Sequence, residues 1–504
     1  MQMRRFVNFQ TITFFWIWFL LMIAGPTKLF RDPGTFFHTK MGEYILHSGQ
    51  LPYRDFFSFT FNGESWIAQQ WLGECIMALI HKVTGLDGLL LATATILAGL
   101  YAGIAHRLIR SGLHFMLATM LVVFTLAASA FHFHVRPHIF SILFLCFIFC
   151  RLTDFEAGRI RCSRLFWIVP IFVVWANIHG GVLGGLGTLA FVIFGWSAAR
   201  ILKLESPIND YRQMLILWGL LFSCILTIFI NPYGLELPKA WMAIMRSSVM
   251  SHIIQEHIPA FQTKGGWVIL FLGFFYLLSL IGVLPKVPRI TWLIPLLWFF
   301  LALSRIRHAP LFAIVSAIAL ANLFPHVKWA KWLVKRGSKL FRLSTAIEGS
   351  KIRFSGLFPT IFIIAAIFLE VVSVKFPLLG REWVKLDKNY WPIEILPELR
   401  AIEKSSPVGT PIFNDLVFGG FLIYYAPRLQ VFIDDRCELY GDKWLLSYVK
   451  GEASQFEDWA VRYGFKLALT QNGSRYDKYL KKANGWTIVR QTKPATLYKK
   501  SYSP

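Results

Sequence analysis

Charge is scarce in this 504-residue chain, and negative charge is the scarcer kind. Only 16% of the residues are charged, with 28 Asp and Glu against 52 Lys and Arg, whereas soluble domains carry about 25%. Hydrophobic residues make up 55% of the chain and include 47 Phe, which excludes a water-soluble globular protein. The six cysteines show no paired spacing, so neither a disulfide framework nor a zinc site follows. The composition predicts a protein whose main solvent is the lipid bilayer.

The net charge of +24 does not indicate a nucleic-acid partner, because the basic residues form short clusters between apolar runs. Such clusters are typical of the cytoplasmic loops of membrane proteins. About eleven apolar runs, within a range of ten to thirteen, are predicted to cross the bilayer with the help of their flanking residues. They lie near residues 9–25, 88–105, 114–131, 137–150, 165–178, 181–198, 213–230, 266–284, 290–303, 308–324 and 355–373.

Lys and Arg fall in every second loop if Arg4 and Arg5 hold the N-terminus in the cytoplasm. This alternation requires residues 66–82 to lie in the membrane interface, in agreement with the polar side chains of that segment. An odd number of spans then places residues 374–504 outside. The predicted orientation is an N-terminus inside and a C-terminal domain outside.

The tail differs from the rest of the chain. Its apolar runs are only strand-length, near 411–414, 429–433, 466–469 and 486–489, and amphipathic stretches separate them. Strands that alternate with helices predict a small α/β domain with a largely parallel sheet. We therefore expect a transmembrane domain over 1–373, with a first outer loop at 26–87, and an extracytoplasmic α/β domain over 374–504.

Polar residues predicted to lie outside, close to apolar spans, are candidates for a functional site, because an ionisable group costs ~2.5 kcal/mol or more at the bilayer centre. The planar donor fork of Arg suits phosphate oxygens, so a lipid-linked phosphate is the expected ligand. Alternatively, the arginines only reach outer-leaflet lipid phosphates and a lone histidine only satisfies a backbone carbonyl. The candidate substrate-binding residues are His38, Arg136, His138, Asn177, His179, Arg305, Arg307 and His308.

Two acidic segments are candidates for chemistry. Asp32 follows the first span, where a carboxylate can accept a proton from an acceptor hydroxyl, although Asp-Pro-Gly-Thr is equally a helix start. Asp434, Asp435 and Arg436 end a predicted strand, where open α/β sheets bind ligands. A buried Asp–Arg network is the alternative for them. No metal ligand is predicted, no cofactor follows from the sequence, and a divalent cation is left open.

The first outer loop carries a family resemblance. It reads Asp32-Pro-Gly-Thr-Phe-Phe-His38, then Leu51-Pro-Tyr-Arg-Asp55-Phe-Phe-Ser58 and Trp66-Ile-Ala-Gln-Gln-Trp71. In these motifs, and in its architecture throughout, the chain resembles the GT-C superfamily of multi-spanning glycosyltransferases. The likeness is to bacterial members akin to protein O-mannosyltransferases and aminoarabinose transferases.

The resemblance implies an inverting sugar transfer from a polyprenyl-phosphate-linked donor to a lipid, glycan or protein acceptor. The reaction would occur at the extracytoplasmic face of a bacterial inner membrane, in contact with membrane lipids and without nucleic acid. Asp32 would match the acidic residue of the first loop that acts as base or orients the acceptor. Many members have two adjacent acidic residues there, whereas Asp32 stands between Arg31 and Pro33, so Asp55 is the substitute for the second carboxylate.

Two other functions remain open. A lipid-linked-sugar transporter or flippase would show polar groups accessible from both faces or a pseudo-repeat, and the sequence shows neither. A non-catalytic membrane scaffold would use the outer domain to bind a partner.

Overall fold

A computed structural model describes residues 8–247, 249, 255–343 and 356–501 of the chain. Arg4 and Arg5, on which the predicted orientation depends, lie outside the described residues. The helices before the C-terminal domain are α1 (Phe9–Lys28), α2 (Pro33–Ser48), α3 (Trp71–Arg110), α4 (Phe115–Ser129), α5 (His138–Glu156), α6 (Ile168–Ile178), α7 (Val182–Ile201), α8 (Tyr211–Leu226), α9 (Glu236–Arg246), α10 (Gly266–Ile281), α11 (Ile294–Ser304), α12 (Ala309–Leu323), α13 (Lys328–Lys335) and α14 (Leu357–Val371).

All eleven apolar runs predicted to span the membrane are helical. In the described part of the chain, seven helices are long and apolar enough to cross a bilayer, namely α1, α3, α5, α7 and the helices that contain α4, α8 and α12. Shorter apolar helices that contain α6, α10, α11 and α14 account for the other four runs. The chain is a multi-pass helical membrane protein.

The helix α3 consists of two arms, because Gly85 has a φ of 66° inside it, a conformation that glycine adopts without steric cost. The first arm packs closely on α2, where Gly42 lies against the backbone of Glu74. The second arm packs on α1, where the Trp18 indole donates a hydrogen bond of 3.2 Å to Thr95. The segment 66–82, predicted to lie in the interface, is thus partly loop and partly the first arm.

The C-terminal domain begins after α14. Its strands are β1 (Thr410–Asn414), β2 (Leu429–Val431), β3 (Leu467–Gln471), β4 (Trp486–Gln491) and β5 (Ala495–Lys500), in the order β2-β1-β3-β5-β4. Its helices are α15 (Leu396–Ser405), α16 (Gly419–Tyr425), α17 (Cys437–Tyr440), α18 (Asp442–Lys450), α19 (Ala453–Tyr463) and α20 (Arg475–Leu480). The predicted small α/β domain and its four predicted strands are confirmed.

The prediction of a largely parallel sheet is wrong for one side of the domain. β1 is parallel to β2 and β3, but β5 pairs antiparallel with both β3 and β4. β5 was not predicted from the sequence; it returns through a tight turn closed by a hydrogen bond of 2.9 Å from Thr492 N to Ala495 O. A hairpin connection requires antiparallel pairing, whereas parallel neighbours need a crossover segment.

The first loop docks on the free edge of β2. Phe59 N donates to Val431 O at 3.0 Å, and Val431 N donates to Phe57 O at 3.1 Å. This short parallel bridge covers backbone groups that an edge strand would otherwise expose. The carboxyl end of β2, with the charged residues that follow it, is therefore held against the first loop.

Candidate functional site

The helix α2 begins at Asp32 for two local reasons. The Asp32 carboxylate accepts a hydrogen bond of 2.7 Å from Gly34 N, and Pro33 occupies the first helical turn, where its missing N–H costs nothing. The helix-start role considered from the sequence is therefore present. It leaves the Asp32 side chain buried but free to contact other groups.

Arg136, from the loop before α5, forms an ion pair with Asp32. Its Nη1 lies 3.2 and 3.1 Å from the two carboxylate oxygens. Burial disfavours the charge of Arg136, but Asp32, Glu256 and Asp435 outweigh burial and raise its pKa. Arg136 thus stays charged, and its side chain remains 23% exposed, so a ligand can reach it.

His38 continues this chain of contacts. Arg136 Nη2 lies 3.4 Å from His38 Nε2, and because Arg can only donate, Nε2 accepts. The ring proton then lies on Nδ1, which faces Glu74 Oε1 at 2.8 Å. Burial and the neighbouring Arg136 lower the pKa of His38 well below its usual range, so His38 is neutral and links Arg136 to Glu74. The sequence analysis did not assign Glu74 to the site, although a lone Glu near apolar residues was a signal.

Asp435 reaches the group formed by Asp32, Arg136 and His38 from the C-terminal domain. We call these four residues the centre. Its Oδ2 lies 3.9 Å from Arg136 Nη2. A Cβ at Gly34 would come within 2.7 Å of that oxygen and 2.8 Å of Arg136 Cζ, so the approach depends on glycine. Burial raises the pKa of Asp435 to about 7, and its Oδ1 is buried without a hydrogen-bond partner among the described residues.

Asp55 lies in a different set of contacts. Its carboxylate accepts hydrogen bonds from Phe57 N at 3.0 Å and from Ser58 Oγ at 2.6 Å. It also lies 2.7 Å from Arg436 Nη1, and its side chain is completely buried. Both oxygens of Asp55 are therefore occupied by neighbours.

Arg436 ties the first loop to the C-terminal domain. Its guanidinium donates to both oxygens of Asp434, at 2.8 and 2.6 Å, and faces Asp55 on the other side. Its Cζ lies 4.8 Å from the Trp66 ring centroid and 5.1 Å from that of Phe37, within cation–π range. Asp434 and Arg436 thus form the buried Asp–Arg network that was the alternative to a ligand site in the sequence-based prediction.

A group of loop histidines borders Arg136. His132 Nδ1 lies 3.3 Å and His134 Nε2 3.9 Å from Glu256 Oε1. The ligand atoms of these three residues lie within 4.8 Å of one another, so they fit a divalent ion with mixed nitrogen and oxygen ligands. The sequence predicted no metal ligand because Glu256 comes from a distant loop. His138 supports this group: its Nε2 donates to His132 O at 2.7 Å.

His179 and Asn177 hold the turn between α6 and α7. His179 Nδ1 accepts from Gly181 N at 2.9 Å, so the ring proton lies on Nε2. Asn177 accepts from the Trp71 indole at 2.9 Å and donates to Ile230 O at 2.8 Å. Asn177 thus joins α6 to the start of α3, and all its amide groups are engaged within the protein.

Arg305, Arg307 and His308 lie just before α12. Arg307 Nη1 lies 2.6 Å from His257 Nε2, but no carboxylate of the described residues lies within ion-pair distance of its guanidinium. The Arg305 guanidinium forms no hydrogen bond or ion pair within the described part of the chain. The His308 ring packs at a tilt against Trp298, with 6.0 Å between ring centroids. Two cationic groups here are available to an anion.

Comparison with known proteins decides the fold. No protein-family model and no curated protein sequence matches the chain. Among solved structures, ArnT from Cupriavidus metallidurans bound to undecaprenyl phosphate matches with a TM-score of 0.52 and 13% identity, over 98% of both chains. The oligosaccharyltransferase of Archaeoglobus fulgidus, tethered to an acceptor peptide, matches with a TM-score of 0.52 and 13% identity, over 92% of this chain and 69% of that one. The chain has the GT-C fold.

The residues around Arg136 come from both parts of the chain. Asp32, His38 and Arg136 come from loops and helices on one side of the bundle, and Asp435 comes from the C-terminal domain that covers it. The expected fold class, a helical polytopic GT-C membrane protein with a C-terminal α/β domain, is confirmed.

Proposed function

We propose that this GT-C protein is an inverting glycosyltransferase that moves a sugar from a polyprenyl-phosphate donor to an envelope lipid, glycan or protein. The observation that carries the proposal is the ion pair of Asp32 with a partly exposed Arg136 in a GT-C fold. The ArnT structure contains undecaprenyl phosphate, and another structure of the Archaeoglobus enzyme contains dolichol phosphate. These ligands support a lipid phosphate as the donor group.

The arginines near the Asp32–Arg136 pair favour the binding of a phosphate beside them. Arg307 is partly buried and has no carboxylate within ion-pair distance among the described residues, and a charge that is partly removed from water without a counter-ion is costly. A phosphate would supply the counter-ion and accept the planar donor fork. Arg136 and Arg305 are close enough to Arg307 to repel it electrostatically, so an anion would stabilise all three.

The acceptor hydroxyl attacks the anomeric carbon on the face opposite the phosphate, and the bond between that carbon and the phosphate oxygen breaks. Asp32 is the carboxylate on which the proposed reaction depends, because its ion pair with Arg136 holds the guanidinium that would bind the phosphate. Asp55 is less suited, since its contacts with Arg436 and Ser58 leave no oxygen for a substrate. His132, His134 and Glu256 would hold a divalent ion if the reaction uses one, and that ion would stabilise negative charge on the leaving phosphate.

We place the N-terminus inside, the C-terminal domain outside and the protein in a bacterial inner membrane. A reporter that is active only in the cytoplasm, fused after residue 380, should give no signal. A strong signal there would place the centre on the opposite face and contradict the proposal.

The function is tested by mass spectrometry of envelope lipids, glycans and glycoproteins from cells with and without the protein. The deletion strain is complemented with wild-type protein, with Asp32→Asn, or with Asp458→Asn, which alters an exposed carboxylate of the C-terminal domain. Asn is also a good N-cap, so Asp32→Asn keeps the start of α2. We expect a sugar-bearing species that wild type and Asp458→Asn restore and that Asp32→Asn reduces at least about a hundredfold.

Full restoration by Asp32→Asn would exclude a role of the Asp32–Arg136 pair in the reaction and favour a scaffold or transporter. A transporter would also be indicated if the deletion changed only the sidedness of a lipid-linked sugar and not the amount of any glycan product.

A further inference from the structure

We propose that Asp435, in the C-terminal domain, accepts the proton of the acceptor hydroxyl, while Asp32 holds Arg136 in place. This inference rests on the proposed glycosyl transfer and divides the work between two carboxylates. It makes the C-terminal domain part of the reaction centre.

The contacts of Asp32 disfavour it as proton acceptor. One of its oxygens accepts from Gly34 N at 2.7 Å, and both face Arg136 Nη1 at 3.2 and 3.1 Å. A proton from the acceptor would have to compete with the Arg136 guanidinium and with Gly34 N–H for the lone pairs of the Asp32 oxygens. These contacts occupy the oxygens of Asp32 and suit a residue that orients Arg136.

Asp435 has the opposite set of contacts. Its Oδ1 has no hydrogen-bond partner among the described residues, and its Oδ2 has only Arg136, at 3.9 Å. Oδ1 itself is buried, but the side chain as a whole is 16% exposed, so a hydroxyl would approach the carboxylate from its exposed part. The lack of a side chain at Gly34 keeps Asp435 next to Arg136, where a donor phosphate would be bound.

The position of Asp435 is fixed by its neighbours in sequence. Arg436 is locked between Asp434 and Asp55, and Cys437 N donates to the Asp435 backbone carbonyl at 3.0 Å. The residue follows β2, at the carboxyl end of a parallel strand, where open α/β sheets place ligands. A rigid backbone at this point is what a group that moves a proton in the transition state requires.

The electrostatics agree with this geometry. Burial raises the pKa of Asp435 to about 7, against the opposing effect of Arg136, and a general base works best when its pKa is near the operating pH. The titratable and charged groups that face Asp435 are Arg136, Asp32, Asp434, Glu74 and Cys437. Three of these five are carboxylates, which favours the protonated form once the hydroxyl has delivered its proton.

The acceptor oxygen forms a bond to the anomeric carbon, and its proton passes to the Asp435 carboxylate. The bond between the anomeric carbon and the phosphate oxygen breaks, and its electron pair leaves with the polyprenyl phosphate. The products are the glycoside, the polyprenyl phosphate anion and protonated Asp435, which then releases its proton to water.

The first experiment detects the proton on the intact protein without any substrate. Full-length protein with [¹³C]aspartate is titrated in lipid nanodiscs and followed by infrared spectroscopy of the carboxyl band. We expect a labelled carboxyl that titrates near pH 7, is lost in Asp435→Asn and Asp435→Glu, and persists in Asp458→Asn. Asp435→Glu keeps the charge, so the assignment survives if Asp435→Asn does not fold. A wild-type spectrum without this transition, or one that both variants retain, would overturn the inference.

The second experiment separates the inference from the proposed function. Binding of undecaprenyl phosphate and formation of the glycan product are measured for wild type, Asp435→Asn, Asp435→Glu and Asp458→Asn across pH 5–9. We expect Asp435→Asn to bind within about threefold of wild type, to lose at least about a hundredfold in product rate, and to lose the rise of rate with pH near neutrality. Asp435→Glu should recover part of the rate and keep a pH-dependent rise.

The second experiment distinguishes a failure of the proposed function from a failure of the role of Asp435. Undecaprenyl phosphate that does not bind to wild type would refute the proposed function. Normal binding with a wild-type rate and pH profile in Asp435→Asn would refute only the role of Asp435.

Discussion

The substitution Asp55→Asn separates the two roles that an acidic residue of the first loop can have. If Asp55 is a structural tie, the variant should be less stable but as active per folded molecule as wild type. If Asp55 is catalytic, stability should change little and turnover should collapse. The contacts of its buried carboxylate with Arg436 Nη1 at 2.7 Å and Ser58 Oγ at 2.6 Å favour the first outcome.

The expected loss of stability follows from these contacts. Removing one partner of a buried ion pair costs about 3–5 kcal/mol. Asp55→Asn keeps one carbonyl oxygen for the neighbouring N–H groups, and Arg436 keeps both bonds to Asp434. We therefore expect the lower end of the range, about 3 kcal/mol.

The assay is SDS-induced unfolding in mixed micelles, followed by tryptophan fluorescence and by proteolysis at the junction with the C-terminal domain. Asp458→Asn serves as the control and should unfold like wild type, because its carboxylate is exposed. Unchanged unfolding of Asp55→Asn together with a hundredfold loss of turnover would refute this reasoning and make Asp55 the catalytic carboxylate.

Three further predictions concern the anion-binding side and the centre. Arg307→Lys keeps the charge but loses the planar fork, so undecaprenyl phosphate affinity should fall about tenfold or more in a fluorescence titration; equal affinity would leave lipid contact as its role. Gly34→Ala should abolish turnover, because its Cβ would lie 2.7 Å from Asp435 Oδ2, whereas Gly99→Ala, with open space around it, should be neutral in the same product assay. Burial and nearby arginines lower the pKa of His257 to about 4, so the folded protein binds this proton less readily than the unfolded chain does. The contribution of His257 to stability is therefore fully present above pH 6.5 and is lost as the pH falls, by about 2 kcal/mol between pH 7 and 5. His257→Gln should remove this pH-dependent loss from SDS unfolding curves.

The sequence predicted the parts of the fold that depend on local composition. Membrane spans are set by the hydropathy of about twenty neighbouring residues, so all eleven predicted runs are helical. Asp32 was recognisable because a helix start has a local signature of capping residue and proline. β5 was missed because half of its residues are polar and its antiparallel pairing with β3 depends on residues distant in sequence.

The pairings within the centre could not be predicted in the same way. Asp32 meets Arg136, and Arg136 meets Asp435, only after the bundle and the C-terminal domain have packed. No local pattern encodes such a partner, because each residue alone fits a cap, a lipid contact or a solvated loop. The same limit applies to Glu256, whose place beside the loop histidines depends on tertiary packing.

The docking of β2 on the first loop has a consequence for biosynthesis. The first loop leaves the ribosome early, whereas Val431, Asp435 and Arg436 follow only after the last transmembrane helix. Until then Asp55 lacks its guanidinium, and the backbone groups of Phe57 and Phe59 lack their partners on Val431. A nascent chain, or one cut short before Val431, therefore cannot assemble the centre. The centre can form only after the polypeptide has been completed as far as Arg436.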